Sequence, residues 1–264
     1  MSKFTNLIKT TLTPIALCLT LAIAVPAIAK KGHHQKHDGM RQILSELSLT
    51  NTQKQDIKQI LKQTREDRGL FNTDEKSLRT DLRSLVHSSE WDQAAIESAI
   101  TQRQALMQEK ALQRASNKHQ VWNLLTETQQ AEFVAQLEFR KTKGEKTRSK
   151  GKREHKKLKR LDFTEEQLAA VQAIKTAAKE NGAEIKTKLK SYKQAERALI
   201  QGANFSPEAW QTLNTGYHAD FIAMGIVKAK SKHDIWNLMT PEQQAKAEEK
   251  SEKHKRGKKG QRHG

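Results

Sequence analysis

The sequence predicts an all-α protein made of two tandem long helical hairpins with short flanking helices. Three observations predict it. The pattern hydrophobe-Thr-x-x-Gln occurs four times, as Leu49-Thr50-x-x-Gln53, Leu125-Thr126-x-x-Gln129, Phe163-Thr164-x-x-Gln167 and Met239-Thr240-x-x-Gln243. Its threonines are spaced 76 residues within each pair (Thr50 to Thr126, Thr164 to Thr240), and the two pairs are offset by 114 (Thr50 to Thr164). A fixed offset without a gap marks a duplicated domain. Between the boxes, apolar residues recur at alternating three- and four-residue steps, and no β-patterned run or cluster of proline and glycine interrupts them.

The chain opens with a secretory signal over residues 1–29. Lys3 and Lys9 form its positive region, Pro14–Val25 its apolar run, and Ala27-Ile28-Ala29 a small-residue cleavage site. The mature chain is expected to start near Lys30 and to be exported. The only cysteine, Cys18, lies inside the signal, so the exported protein is expected to rely on its core or on association rather than on disulfides.

After a His- and Lys-rich segment over 30–41, the first unit spans 42–139 and the second 158–247. In the first, Ile57, Ile60, Thr64, Phe71, Leu78, Leu82 and Leu85 share one helical face. Val171, Ile174, Ala178, Ile185, Leu189, Tyr192 and Leu199 repeat that phase in the second. Each set predicts one long helix. A bend is expected near Gly69–Asp74 in the first copy, and a glycine cap at Gly202 in the second. A second long helix starts at Asp92 and again at Ser206 and runs to about Trp122 and Trp236. Its buried face takes Ile96, Ile100 and Met107 in one copy and Trp210, Tyr217, Phe221 and Met224 in the other. The second box of each unit then starts a further short helix. The flanks repeat as well: Lys118–Ala131 and Lys232–Ala245 agree at 9 of 14 positions, including His119/His233 and Trp122/Trp236.

Thr followed three residues later by Gln is a capping box. The hydroxyl accepts from the third helical N–H, and the glutamine reaches back to the threonine N–H. The hydrophobes before the boxes are expected to enter a shared core, because the usual staple partner is polar at Lys54, Gln130 and Gln244. A single hairpin has little interior, so its apolar stripe must meet a second copy.

The formal net charge is +18, but the folded units are nearly neutral. Residues 140–160 hold twelve Lys/Arg against Glu145 and Glu154, and residues 246–264 hold eight against three Glu. The positive charge therefore sits in a basic linker, 140–157, and a basic tail, 248–264. Such runs read as solvated segments or as arms that attract anionic surfaces, such as lipopolysaccharide or acidic clients.

Paired LT-x-x-Q boxes around a long helical hairpin, in an exported and charged chain, resemble the Spy/CpxP family of periplasmic proteins. Leu49–Gln53 with Leu125–Gln129 make one family unit. Phe163–Gln167 with Met239–Gln243 make a second, where Phe163 and Met239 replace the family's leucine. The resemblance implies an all-α cradle and a periplasmic location. It implies an ATP-independent chaperone (a holdase) for unfolded exported proteins, or alternatively a metal-responsive regulator that binds the sensor domain of an envelope-stress kinase. The family cradle is a homodimer; two units in one chain lead us to expect an intramolecular, cradle-like pseudo-dimer in its place.

No catalytic motif occurs, neither Gly-x-Ser-x-Gly nor His-Glu-x-x-His nor a phosphate loop, and no enzyme or organic cofactor is expected. His33, His34 and His37 read either as a polar tail or as a ligand cluster for zinc or another transition metal. His119 and His233 read as packed or capping histidines, and the four box threonines and glutamines as scaffold.

Overall fold

The computed structural model describes residues 39–70, 72–147 and 158–260, which carry ten α-helices and no strand. The signal segment, His33, His34, His37, Phe71, residues 148–157 of the basic linker and residues 261–264 of the tail lie outside the described residues. The first unit runs through α1 (Gly39–Leu44), α2 (Asn51–Leu70), α3 (Asn72–Val86), α4 (Gln93–Asn123) and α5 (Glu127–Thr147). The second runs through α6 (Glu165–Asn181), α7 (Ala183–Gln201), α8 (Pro207–Gly216), α9 (His218–Asn237) and α10 (Pro241–Gly260). None of the described helices is long and apolar enough to cross a membrane.

Helix starts follow from local chemistry. Asp92 caps α4 by accepting from the N–H of Ala95 at 2.9 Å, and Ser206 caps α8 by accepting from that of Ala209 at 3.1 Å. Pro207 takes the first helical position, where a missing N–H costs no bond.

Four elements depart from expectation. In the second unit the long first arm is two helices, divided at Gly182, where no break was expected. In the first unit α2 is described to Leu70 and α3 from Asn72, with Phe71 between them outside the described residues. A β-carbon on Gly182 would come within 3.1 Å of Ala178 O in α6 and make only ordinary contact with α9, at 3.4 Å from Met224 Cε and 3.7 Å from Val227 Cγ1. Gly202 ends α7, but at φ −93° and ψ 161° it is extended rather than left-handed. The return helix is unbroken over 31 residues in the first unit yet interrupted at Tyr217 (φ −115°, ψ 8°) in the second. Gly216 precedes that break where the first unit has Gln102, and glycine disfavours helix by about 1 kcal/mol. Finally, α5 and α10 are not short, at 21 and 20 residues. Sequences rich in Ala, Glu, Gln and Lys carry the helix onward into the basic segments.

The core forms four clusters in two corresponding pairs. Within the first unit, Leu47, Leu49, Ile57, Val121, Leu125 and Phe133 pack at the box end. Leu161, Phe163 and Val171, with Ile235, Leu238 and Met239 against them, do the same in the second. The box hydrophobes thus enter shared cores, as expected. The other two clusters join the units. Val86, Ile96 and Ile100 bury Ala229 of α9, and Ile200 and Trp210 bury Ala115 of α4. Trp210 is fully buried, whereas Trp91, Trp122 and Trp236 are half-buried.

Candidate functional site

All four boxes close as capping boxes. The threonine N–H donates to the glutamine Oε1 at 2.9, 2.9, 3.0 and 3.1 Å in chain order, and the glutamine N–H donates back to Oγ1 at 3.2–3.3 Å. They also meet in pairs, which spacing alone does not reveal. Gln53 Nε2 donates to Gln129 Oε1 at 2.8 Å, and Gln129 Nε2 donates to Gln53 Oε1 at 3.1 Å. The second proton of each amide goes to a backbone carbonyl at the entry to the opposite helix, Leu124 O at 2.7 Å and Ser48 O at 2.8 Å. Gln167 and Gln243 repeat the clasp at 2.9 and 3.0 Å, with Leu238 O and Asp162 O both at 2.9 Å.

Each carboxamide therefore uses its full capacity of two donated and two accepted bonds. Gln129 and Gln243 are buried, so the complete set matters: a buried polar group without a partner costs about 1–3 kcal/mol. The backbone at Asp162 turns at φ 55° to present its carbonyl, a left-handed conformation that aspartate tolerates better than most residues. Lys246 holds the Asp162 carboxylate and keeps its pKa below the usual carboxylate range.

The two histidines at equivalent repeat positions cap helix ends across the units. His119 Nδ1 lies 2.8 Å from Ile200 O at the end of α7, and His233 Nδ1 lies 3.2 Å from Val86 O at the end of α3. A carbonyl only accepts, so Nδ1 of His119 carries the proton and Nε2 accepts from Asn123 at 2.9 Å. His119 stacks on Phe205 at 4.6 Å and His233 meets Trp91 edge-on at 5.3 Å. The sequence reading of packed or capping histidines holds. Among the described residues, no group of three or more His, Cys, Asp or Glu is placed to hold a metal ion.

Outside the clasps, two open grooves occupy corresponding places. One, of about 550 Å³, lies between α2 and α4; the other, of about 470 Å³, lies between α6 and α9. Around the shared Ile60/Ile174, their linings differ at Gln59/Ala173, Gln63/Ala177, Gln113/Val227, Asn117/Ser231 and Gln120/Asp234. The first is lined by amides and the second by aliphatic side chains, with Lys230 paired to Asp234 at its edge. In the amide groove, Asn117 donates to Thr64 Oγ1 at 2.7 Å, across α2 and α4. The same divergence runs through the hairpins. Lys110 pairs with Glu75 at 2.7 Å, where the second unit has Met224 and Leu189. The sequence reading missed these surfaces. A position-by-position comparison of the two copies carries the signal, because most exchanges of Gln for Ala or Val fall on this one face.

A model of the LTXXQ motif family matches the chain twice, over residues 35–137 and 149–251. No solved structure matches. Each matched stretch contains one complete clasp, and together they span well over half the chain, so the chain belongs to the LTXXQ motif family, the Spy/CpxP group, as two tandem units.

Proposed function

We propose that this chain is an exported, periplasmic, ATP-independent chaperone that holds unfolded envelope proteins, and not an enzyme. The observation that carries the reading is the pair of open, unlike grooves, one aliphatic and one lined by amides. An unfolded chain presents both kinds of group, apolar side chains and unpaired backbone amides. An aliphatic side chain gains about 1.5–3 kcal/mol on full burial and less in an open groove. Two such contacts keep affinity in about the millimolar-to-micromolar range. Binding that weak lets a client leave without nucleotide hydrolysis. Val134 and the half-exposed Phe139 on α5 add apolar surface, and the basic linker and tail steer acidic clients toward it.

The test is aggregation of a reduced or heated client with stoichiometric protein and no ATP. Suppression is expected, and its absence would sink the reading. Ala177→Glu places a charge in the aliphatic groove at an exposed position. It should weaken suppression several-fold with Tm nearly unchanged, since alanine and glutamate are both good helix formers. Full suppression by that variant would remove the groove from the client surface.

A further inference from the structure

The contact between the units is reciprocal in position but not in residue. Val86, Ile96 and Ala229 in one inter-unit cluster stand at the same repeat positions as Ile200, Trp210 and Ala115 in the other. The His119 and His233 caps correspond in the same way. Two arginines also occupy equivalent positions, with partners one position apart in the repeat: Arg83 Nη1 donates to Ser251 Oγ and Arg197 Nη1 to Glu138 Oε1, both at 3.0 Å. This is the layout of an isologous contact between identical subunits, formed here by two different ones.

Where α4 and α9 come closest, the likeness stops. A β-carbon on Gly225 would lie 2.8 Å from Ile100 Cγ2, far inside van der Waals contact. Ile100 is buried and β-branched, so its χ1 is stiff and the methyl cannot swing aside. The corresponding positions are Ala111 and Asn214. Neither unit carries both sides of the fit. The first has Ile100 but alanine in glycine's place; the second has Gly225 but asparagine in isoleucine's.

We propose that this crossing is a lock between unlike halves: the face accepts the opposite unit and rejects a like one, and the opposite unit tethered on the same chain reaches it first, which leaves the chain a monomer. Two first units would drive Ile100 onto the methyl of Ala111. Two second units would set Asn214 against Gly225, where the shorter, polar side chain fills only part of isoleucine's volume and buries an amide whose Oδ1 already lacks a partner. Rejection by misfit is how such specificity is obtained. The inference does not depend on the chaperone reading.

The experiment combines mass and thermal stability on the whole chain. Light scattering on the exported chain should give the mass of one chain, which is below the 30.0 kDa of the full sequence once the signal is removed. Helix propensity alone makes alanine better than glycine, so Gly225→Ala should raise Tm wherever no contact opposes it. We expect it to lower Tm in the native background and to raise it in the Ile100→Ala background. Ile100→Leu removes the branched methyl and keeps the volume; it should give the same reversal if the alanine variant does not fold. A mass of two chains, or a Tm shift of the same sign in every background, overturns the proposal.

Discussion

A glutamate at position 129 would satisfy a capping box and fail the clasp. Its carboxylate could still accept from the Thr126 N–H, but it has no proton for Ser48 O or for Gln53 Oε1. It would set a buried negative charge against two acceptors. Gln129→Glu should therefore destabilise by about 2–3 kcal/mol, against about 1 kcal/mol for Thr126→Ala, which removes only the cap. Urea unfolding at neutral pH measures both, and equal losses would show that the pairing contributes nothing beyond the caps. A second residue sets a pH dependence. Burial, helped by Arg83, lowers the pKa of His87 from its ordinary 6.5, and Glu248 only partly opposes this. The ring stacks on Trp236 at 3.6 Å. Just below 6.5 the unfolded chain takes up a proton that the folded chain does not, so stability falls on acidification. The second unit has glutamine at this position, Gln201. His87→Gln should flatten the slope of the urea midpoint between neutral pH and pH 5; an unchanged slope would assign it to other groups.

At the scale of elements, the two copies differ most where α7 meets α8. Tyr192 donates to Glu196 at 3.1 Å and accepts from Asn214 Nδ2 at 3.1 Å, while Trp210 Nε1 donates to the same Glu196 oxygen at 3.0 Å. Burial raises the Tyr192 pKa well above its usual value, so the hydroxyl stays protonated and remains a donor. The first unit has Leu78, Leu82, Ile96 and Ile100 at these four positions. Tyr192→Phe keeps the ring contacts with Tyr217 and Phe221 but leaves the buried Asn214 amide with no partner. It should cost about 1–3 kcal/mol in urea unfolding, and a neutral result would mean that another donor or acceptor replaces the hydroxyl. Helix starts were legible in the sequence at Asp92, Ser206 and the four threonines, because a cap is settled within three residues. The break at Tyr217 and the length of α5 were not. The break lies where Gly216 weakens the helix and the Tyr217 ring packs on Tyr192 of another helix. The length of α5 reflects propensity beyond the last apolar residue of the pattern.

At the scale of the molecule, two of the four core clusters contain residues of both units, so neither unit buries its apolar stripe alone. Unfolding should therefore be one cooperative transition. Helix content by circular dichroism and fluorescence from Trp91, Trp122, Trp210 and Trp236 should report the same urea midpoint. Two separated midpoints would show that the units unfold independently. The positive charge lies mostly outside this folded pair, in segments whose pull on anionic partners should fade with salt.

By itself the sequence determined the all-α class, the duplication, the capping boxes and the core role of their hydrophobes. These are set by spacing and by bonds that reach three or four residues. Only the tertiary structure decided that the boxes clasp in pairs, and hence why the fourth residue is glutamine, a residue that both donates and accepts. It also decided that the histidines cap the other unit's helices, and that corresponding grooves carry opposite chemistry. Those outcomes rest on contacts between residues 53 to 147 positions apart, and no local propensity encodes which distant surface a side chain will meet.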